Sequence, residues 1–265
     1  METLKLFYED SLIPKDRILK TAEKIRPEIE RVKDAISRGY DDDRASINLP
    51  DDKEMLKTIK STIEEKLALK PEHLIVIGIG GSNLGTVAVQ EAILGKLYNL
   101  TKPPIKVLYA DTVDSYLINS IIKIIKPALK SGGSILLDVV SKSGTTTETV
   151  ANFRILLNLL RKYRKEYKDY VVATCDRDSM LWHLAVKEGF TTLEIPQKVG
   201  GRYSVFSSVG LFPLGLLGIQ IDDLLNGAKH MRGKCINGDL ERNPAAITAS
   251  IQFLHYKNGK NIVDY

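Results

Sequence analysis

Nine consecutive residues, Ser141-Lys142-Ser143-Gly144-Thr145-Thr146-Thr147-Glu148-Thr149, carry six hydroxyl side chains and a lysine. They follow the apolar run Ile135–Val140 and precede a helical pattern, Val150 to Leu160. A hydroxyl-rich loop between a strand and a helix start suits an anion. Free backbone N–H groups and the positive end of the helix dipole point the same way there. The hydroxyls add donors, Lys142 adds charge, and the anion this arrangement suggests is a phosphate ester. Helix capping is the plainer explanation, because serine and threonine favour caps. One cap, however, uses one hydroxyl of the six.

A second group of chemistry-bearing residues is Gly78-Ile79-Gly80-Gly81-Ser82-Asn83-Leu84-Gly85. It suggests a dinucleotide loop, with Asp111 as a ribose-binding acid, but the G-x-G-x-x-G pattern needs glycine where Asn83 stands. A structural tight turn is also possible. The preferred reading sets this turn and the hydroxyl loop at neighbouring strand ends, bracketing one small ligand. A third group, Gly200-Gly201-Arg202-Tyr203-Ser204, places a guanidinium after two flexible glycines, so backbone and side chain can both come close to a ligand.

The elements that must position these groups follow from periodicity. Short apolar runs at Leu74–Ile79, Ile105–Ala110, Ile135–Val140, Tyr170–Thr174 and Thr192–Ile195 alternate with helical patterns near 83–98, 114–129, 146–165 and 178–188. This βαβα alternation predicts an α/β fold, a parallel sheet with helices on both faces. Ligands in such sheets bind beyond the carboxyl ends of the strands. Before the sheet, the pattern predicts one long helix from about Ile13 to Gly39, and a second opened by Pro50-Asp51-Asp52 and reaching Leu69. After it, Ser207–Ile219 reads as a core helix, with further helices from Ile221 to Met231 and Asn243 to Tyr256. Asn258 to Val263 reads as a turn entering a strand.

Composition bounds the function classes. The 265 residues suffice for one large or two modest domains. Hydrophobic residues make up 43% and charged residues 27%, which implies a soluble protein with a proper core. The net charge of +5 is spread along the chain, so nucleic-acid binding is not indicated. Cys175 and Cys235 stand in no metal-ligand spacing, and a reducing, cytoplasmic setting fits them. The N-terminus has acids where a signal peptide needs bases. The longest apolar region, Phe206–Ile219, is too interrupted to span a bilayer, so no membrane partner is expected.

Taken together, Ile77–Gly85, Val140–Thr149 and Val199–Val205 resemble the glucose-6-phosphate isomerase family, in order and separation as well as in residues. The third segment is similar to that family's signature. The resemblance implies sugar-isomerase (SIS) domains, each an αβα sandwich. Residues 1–44 would form an N-terminal helical segment, 45–194 the first SIS domain and 195–265 the start of a second. It further implies that Ser82, Ser141, Ser143, Thr146 and Thr149 hold the sugar phosphate of glucose 6-phosphate or fructose 6-phosphate, with Gly81 also binding the substrate. Lys142 would lie near that phosphate, and Gly201 with Arg202 would face the reacting carbons. Gly144 stands where many eukaryotic members have an aromatic residue, as is usual for the bacterial and archaeal type.

The implied chemistry is aldose–ketose exchange through an enediol(ate), with Arg202 as the stabilising cation and no metal or organic cofactor. The family's glutamate base would fall beyond the last strand expected here, so the chain is expected to carry the phosphate-holding half and lack the proton-transfer half. His73, His183, His230 and His255 match no family histidine, and Glu148 reads as a helix N-terminal acid. An incomplete second sheet would leave the helix face of Phe206–Ile219 uncovered. The expected assembly is therefore a homodimer, or completion by a C-terminal polypeptide. The alternative function is a non-catalytic sugar-phosphate-binding SIS protein, although a sensor would need only the phosphate loop.

Overall fold

The five apolar runs become five strands in the computed structural model, which describes residues 5–261. They are β1 (Pro71–Ile77), β2 (Lys106–Ala110), β3 (Ser134–Val140), β4 (Val171–Cys175) and β5 (Thr191–Glu194). All neighbours are parallel, in the order β2-β1-β3-β4-β5. β3 lies at the centre and is buried along its whole length. A strand covered on both faces reads as a continuous apolar run, which is why Ile135–Val140 stood out.

One face is covered by α5 (Ser115–Lys130), α6 (Thr147–Tyr163) and α7 (Met180–Glu188). Ile118, Ile125, Phe153, Leu156 and Leu160 pack there on Ile75, Leu137, Val139 and Ala173. The other face is covered by α3 (Lys53–Ala68), α8 (Ser208–Leu216) and α9 (Ile221–Cys235). Ile59, Val209, Phe212 and Leu225 meet Leu74, Val76, Leu136 and Val172 there. The αβα sandwich expected from the alternation is the fold that forms. α4 (Leu84–Leu94) leaves the end of β1 and lies beside α8, where Thr86 Oγ1 donates to Val209 O at 3.3 Å.

Two expectations need correction. The stretch from Ile13 to Gly39 is two helices, α1 (Lys15–Ala22) and α2 (Arg26–Ser37), separated by a 3₁₀ turn at Glu23–Ile25. Pro27 explains the break: it has no N–H to donate to the turn before it, and it sits in the first turn of α2. The face of Phe206–Ile219 is not open either. Leu211, Phe212 and Leu214 of α8 are fully buried, because the helix closes over the same sheet that precedes it. Uncovered apolar surface lies instead on α4 and the turn after it, with Leu84 60% and Leu100 76% exposed.

α10 (Pro244–Lys257) returns to α1, with Ile247 and Leu254 packed on Ile13 and Ile18. The strand expected to enter at Ile262 and Val263 lies outside the described residues. No helix among the described residues is long and apolar enough to cross a membrane.

Candidate functional site

The turn after β1 is made by backbone. Gly80 has φ +58° and, with Gly81 and Ser82, forms a 3₁₀ turn leading into α4. At Gly81 a Cβ would lie 2.3 Å from the carbonyl carbon of Gly201, so the position admits no side chain unless one turn retreats. Ser204, which the sequence did not single out for a role, fastens this contact. Its Oγ lies 2.7 Å from Gly201 O and 3.2 Å from Gly81 O. Sequence offered one signal for it: a hydroxyl residue soon after two glycines commonly bonds back to local backbone. Asn83 has a further property that its place in the turn did not announce. It is fully buried, and neither side-chain amide atom has a partner among the described residues.

The loop after β3 is made by side chains. Its start is fixed by the sheet, since Ser141 N donates to Thr174 O at 3.1 Å. Ser141 Oγ and Thr146 Oγ1 lie 3.2 Å apart, while Ser143 Oγ accepts from Thr145 N and is 3.0 Å from Thr145 Oγ1. Thr146 is the N-cap of α6, yet its hydroxyl makes no capping bond. Thr149 Oγ1 is buried and unpartnered among the described residues. The hydroxyls are therefore not consumed by capping, and the first-turn N–H groups of a 17-residue helix stay available beside them. Gly144 turns the loop with φ +68°, and a Cβ there would sit 2.5 Å from Leu181 N. Ser141, Gly144 and Thr149 line one end of a cleft of 690 Å³ between α6 and α7, whose floor includes Phe153, Leu181 and Phe190.

Lys142 lies outside the hydroxyl set. Its Nζ donates to Gln197 O at 2.5 Å and to Val199 O at 2.9 Å, both just before Gly200, Gly201 and Arg202. Its carbonyl accepts from Asp176 N at 3.1 Å. Burial raises the Asp176 carboxyl above its ordinary range, with the Lys142 charge opposing. The Arg202 side chain is exposed. The structure thus gathers Gly81, Ser82, Gly201 and Arg202 at one joint, and Ser141, Ser143, Thr146 and Thr149 in one loop. Lys142 bridges the two groups.

The histidines stand away from these turns. His73 lies within β1, not before it, and burial lowers its pKa. His183 and His230 lie on α7 and α9, and His255 Nε2 is 2.8 Å from Ser11 O. Glu148 is exposed in the first turn of α6. Burial pushes the Cys175 thiol up to about 11, as for an inert core cysteine. The group sequence reasoning missed is Asp138 in β3, fully buried beneath the loop. Burial pushes its carboxyl up to about 7, against the lowering effect of a 3.0 Å hydrogen bond from Thr174 Oγ1. Among the described residues, no group of three or more His, Cys, Asp or Glu is placed to hold a metal.

A profile of the phosphoglucose isomerase family matches residues 49–263. A probable glucose-6-phosphate isomerase of Methanococcus maripaludis is 37% identical over 72% of this chain and 42% of its own length. A glucose-6-phosphate isomerase of Clostridium novyi is 39% identical over 80% of this chain and 47% of its own. The chain spans about half the length of these curated relatives. Among solved structures, a hypothetical protein of Thermus thermophilus superposes with TM-score 0.75 at 28% identity, over 91% of this chain and 56% of that one. A glucose-6-phosphate isomerase from Chlamydia trachomatis shares the fold, with TM-score 0.69 at 18% identity over 94% and 56%.

Proposed function

The chain belongs to the phosphoglucose isomerase family, and from that premise we propose that it supplies the phosphate-holding part of a glucose-6-phosphate isomerase. In this reading the phosphate of glucose 6-phosphate or fructose 6-phosphate sits on the loop after β3. Ser141, Ser143, Thr146 and Thr149 donate to it, together with Ser82 and the first N–H groups of α6. Lys142 lies near it, tied to the segment before Gly200. Gly81 and Gly201 let the sugar lie against backbone, and Arg202 faces the C1–C2 end.

Isomerisation moves a proton between C2 and C1. A base removes the C2 proton of the open-chain aldose, leaving an enediolate whose charge rests on oxygen. Transfer of the O2 hydroxyl proton to O1, together with return of a proton to C1, gives the ketose. Arg202 stabilises that oxygen, for which a planar, permanently charged guanidinium is suited. The proton-transferring carboxylate is assigned to no residue of this chain. The strand ends of the sheet act as the phosphate-holding part, and the segment after β5 brings Gly201 and Arg202 against it.

The observation that carries this reading is the uncapped start of α6. Ser141, Thr146 and Thr149 gather there with hydroxyls not spent on the helix. Titration calorimetry of the 265-residue chain with fructose 6-phosphate tests it. Binding that inorganic phosphate competes away, together with turnover no faster than background in a coupled assay, is the expected result. Failure to bind either anion rejects the phosphate site. Turnover near the ordinary enzymatic range of about 1–10³ s⁻¹ would place the missing base within the chain.

A further inference from the structure

We infer that Lys142 is a positioning residue, one that sets Arg202 against the phosphate loop instead of meeting the phosphate itself. The inference rests on the reading above and adds to it the coupling between its two halves.

The geometry is specific. An ammonium group has three N–H donors, and two of those on Lys142 go to Gln197 O and Val199 O. These carbonyls belong to the segment joining β5 to the Gly201–Tyr203 turn. Most other ties of that segment lead elsewhere. Val199 N returns to Pro196 O, Lys198 pairs with Asp43, and Val199 packs on Ala45 and Leu49. Among the described residues, Lys142 is the side chain that joins the segment to the end of β3. Beyond the segment, Gly201 is seated on Gly81 and held by Ser204. Arg202 thus hangs between two fixings, one from the turn after β1 and one from the loop after β3. Gly200 and Gly201 leave the backbone at this point intrinsically free, so external fixings must set the direction of the guanidinium.

A charge that donates to two peptide carbonyls is also the less suited to bind phosphate. One donor remains on that ammonium, and the two carbonyls already fix where it stands. The hydroxyls and the α6 N-terminus can satisfy the phosphate without it.

The test compares Lys142→Met, Arg202→Ala, the double variant and Lys142→Arg with the unaltered chain. Three readouts are taken: affinity for inorganic phosphate, affinity for fructose 6-phosphate, and amide exchange of the 197–203 segment in the free chain. Lys142→Met should change phosphate affinity by less than about threefold, and should weaken fructose 6-phosphate as much as Arg202→Ala does, with the double variant no worse than either, the signature of two residues acting as one unit. Exchange across 197–203 should rise by about tenfold or more in Lys142→Met and stay near the unaltered rate in Lys142→Arg, which keeps donors and charge. If Lys142→Met does not fold, Lys142→Gln carries the same expectations at smaller amplitude.

A tenfold or greater loss of phosphate affinity on Lys142→Met would overturn the inference by making Lys142 a direct ligand. Unchanged exchange across 197–203 would overturn it as well. If the unaltered chain binds neither anion, the proposed function falls, and the exchange comparison still decides whether Lys142 holds the segment.

Discussion

The turn after β1 and the loop after β3 stand at adjacent strand ends and are built on opposite plans. The first consists of glycine backbone pressed on glycine backbone, with Gly81 against Gly201 and one serine hydroxyl beside both carbonyls. The second consists of hydroxyl side chains around a helix start whose N-cap makes no side-chain bond. Shape alone defends the first plan, so any added atom is felt by the fold. In the second plan the hydroxyls are not spent on capping the helix, so a lost atom is felt mainly by a ligand. Folding and binding are therefore separable at two neighbouring points of one sheet edge.

The largest effect is expected where shape is everything. Gly81→Ala puts a methyl 2.3 Å from the Gly201 carbonyl carbon. Overpacking of this kind costs about 1–3 kcal/mol and sometimes more. Thermal unfolding should fall by several degrees, with sugar-phosphate binding lost because Arg202 moves with the displaced turn. A melting curve and affinity unchanged from the parent would show that the two backbones are not locked together.

Next comes the hydroxyl loop, where the balance should reverse. Ser141→Ala and Thr146→Ala should each weaken fructose 6-phosphate binding by about 1.5–3 kcal/mol, the range for charge-assisted bonds. Their unfolding temperatures should change far less than that of Gly81→Ala. Calorimetric titration set beside thermal melts decides it; equal affinities in parent and variants would move the anion elsewhere. Arg202→Lys sharpens the contrast at the joint between the two plans. Assayed in the completed enzyme, it should lower kcat far more than it raises KM, because an ammonium cannot reproduce the planar fork. A change confined to KM would make Arg202 a ground-state binding residue.

A pH-dependent effect lies beneath the loop, in Asp138. Its folded pKa of about 7 exceeds the ordinary carboxylate value of 3.8, so the folded chain holds this proton more tightly than the unfolded chain. That contribution to stability is complete below about pH 4 and disappears as pH rises through 7. Asp138→Asn removes the titration. Relative to the parent it should be stabilising by about 1–3 kcal/mol at pH 8, where a buried carboxylate lacks compensation, and close to neutral at pH 4. Denaturant unfolding at the two pH values measures it, and a difference independent of pH would show that the carboxyl stays in one protonation state throughout.

Much of this was legible in the chain itself. The sheet was readable because parallel strands buried on both faces need uninterrupted apolar runs, and each of the five runs lies within a residue or a few of its strand. α7 lies within the helical pattern read near 178–188, and the Ser179 hydroxyl caps it by accepting from Trp182 N. The helix break at Glu23–Ile25 was missed because the apolar spacing continues across Pro27 and conceals it. The covering of α8 was missed for a different reason. An apolar helix announces that it will be buried, not which sheet will bury it.

Residue types and spacing determined the hydroxyl loop, the two glycine turns and their places at strand ends, because turn chemistry, capping preference and periodicity act over a few residues. Tertiary structure alone decided where Lys142 spends its charge, since its acceptors stand 55 and 57 residues away. It also decided that Gly81 must be glycine because of Gly201, and that Asp138 is sealed from water with a Thr174 hydroxyl for company. These are contacts between chain segments distant in sequence. They form only after the sheet has brought its strand ends together, and no local propensity encodes which atoms then meet.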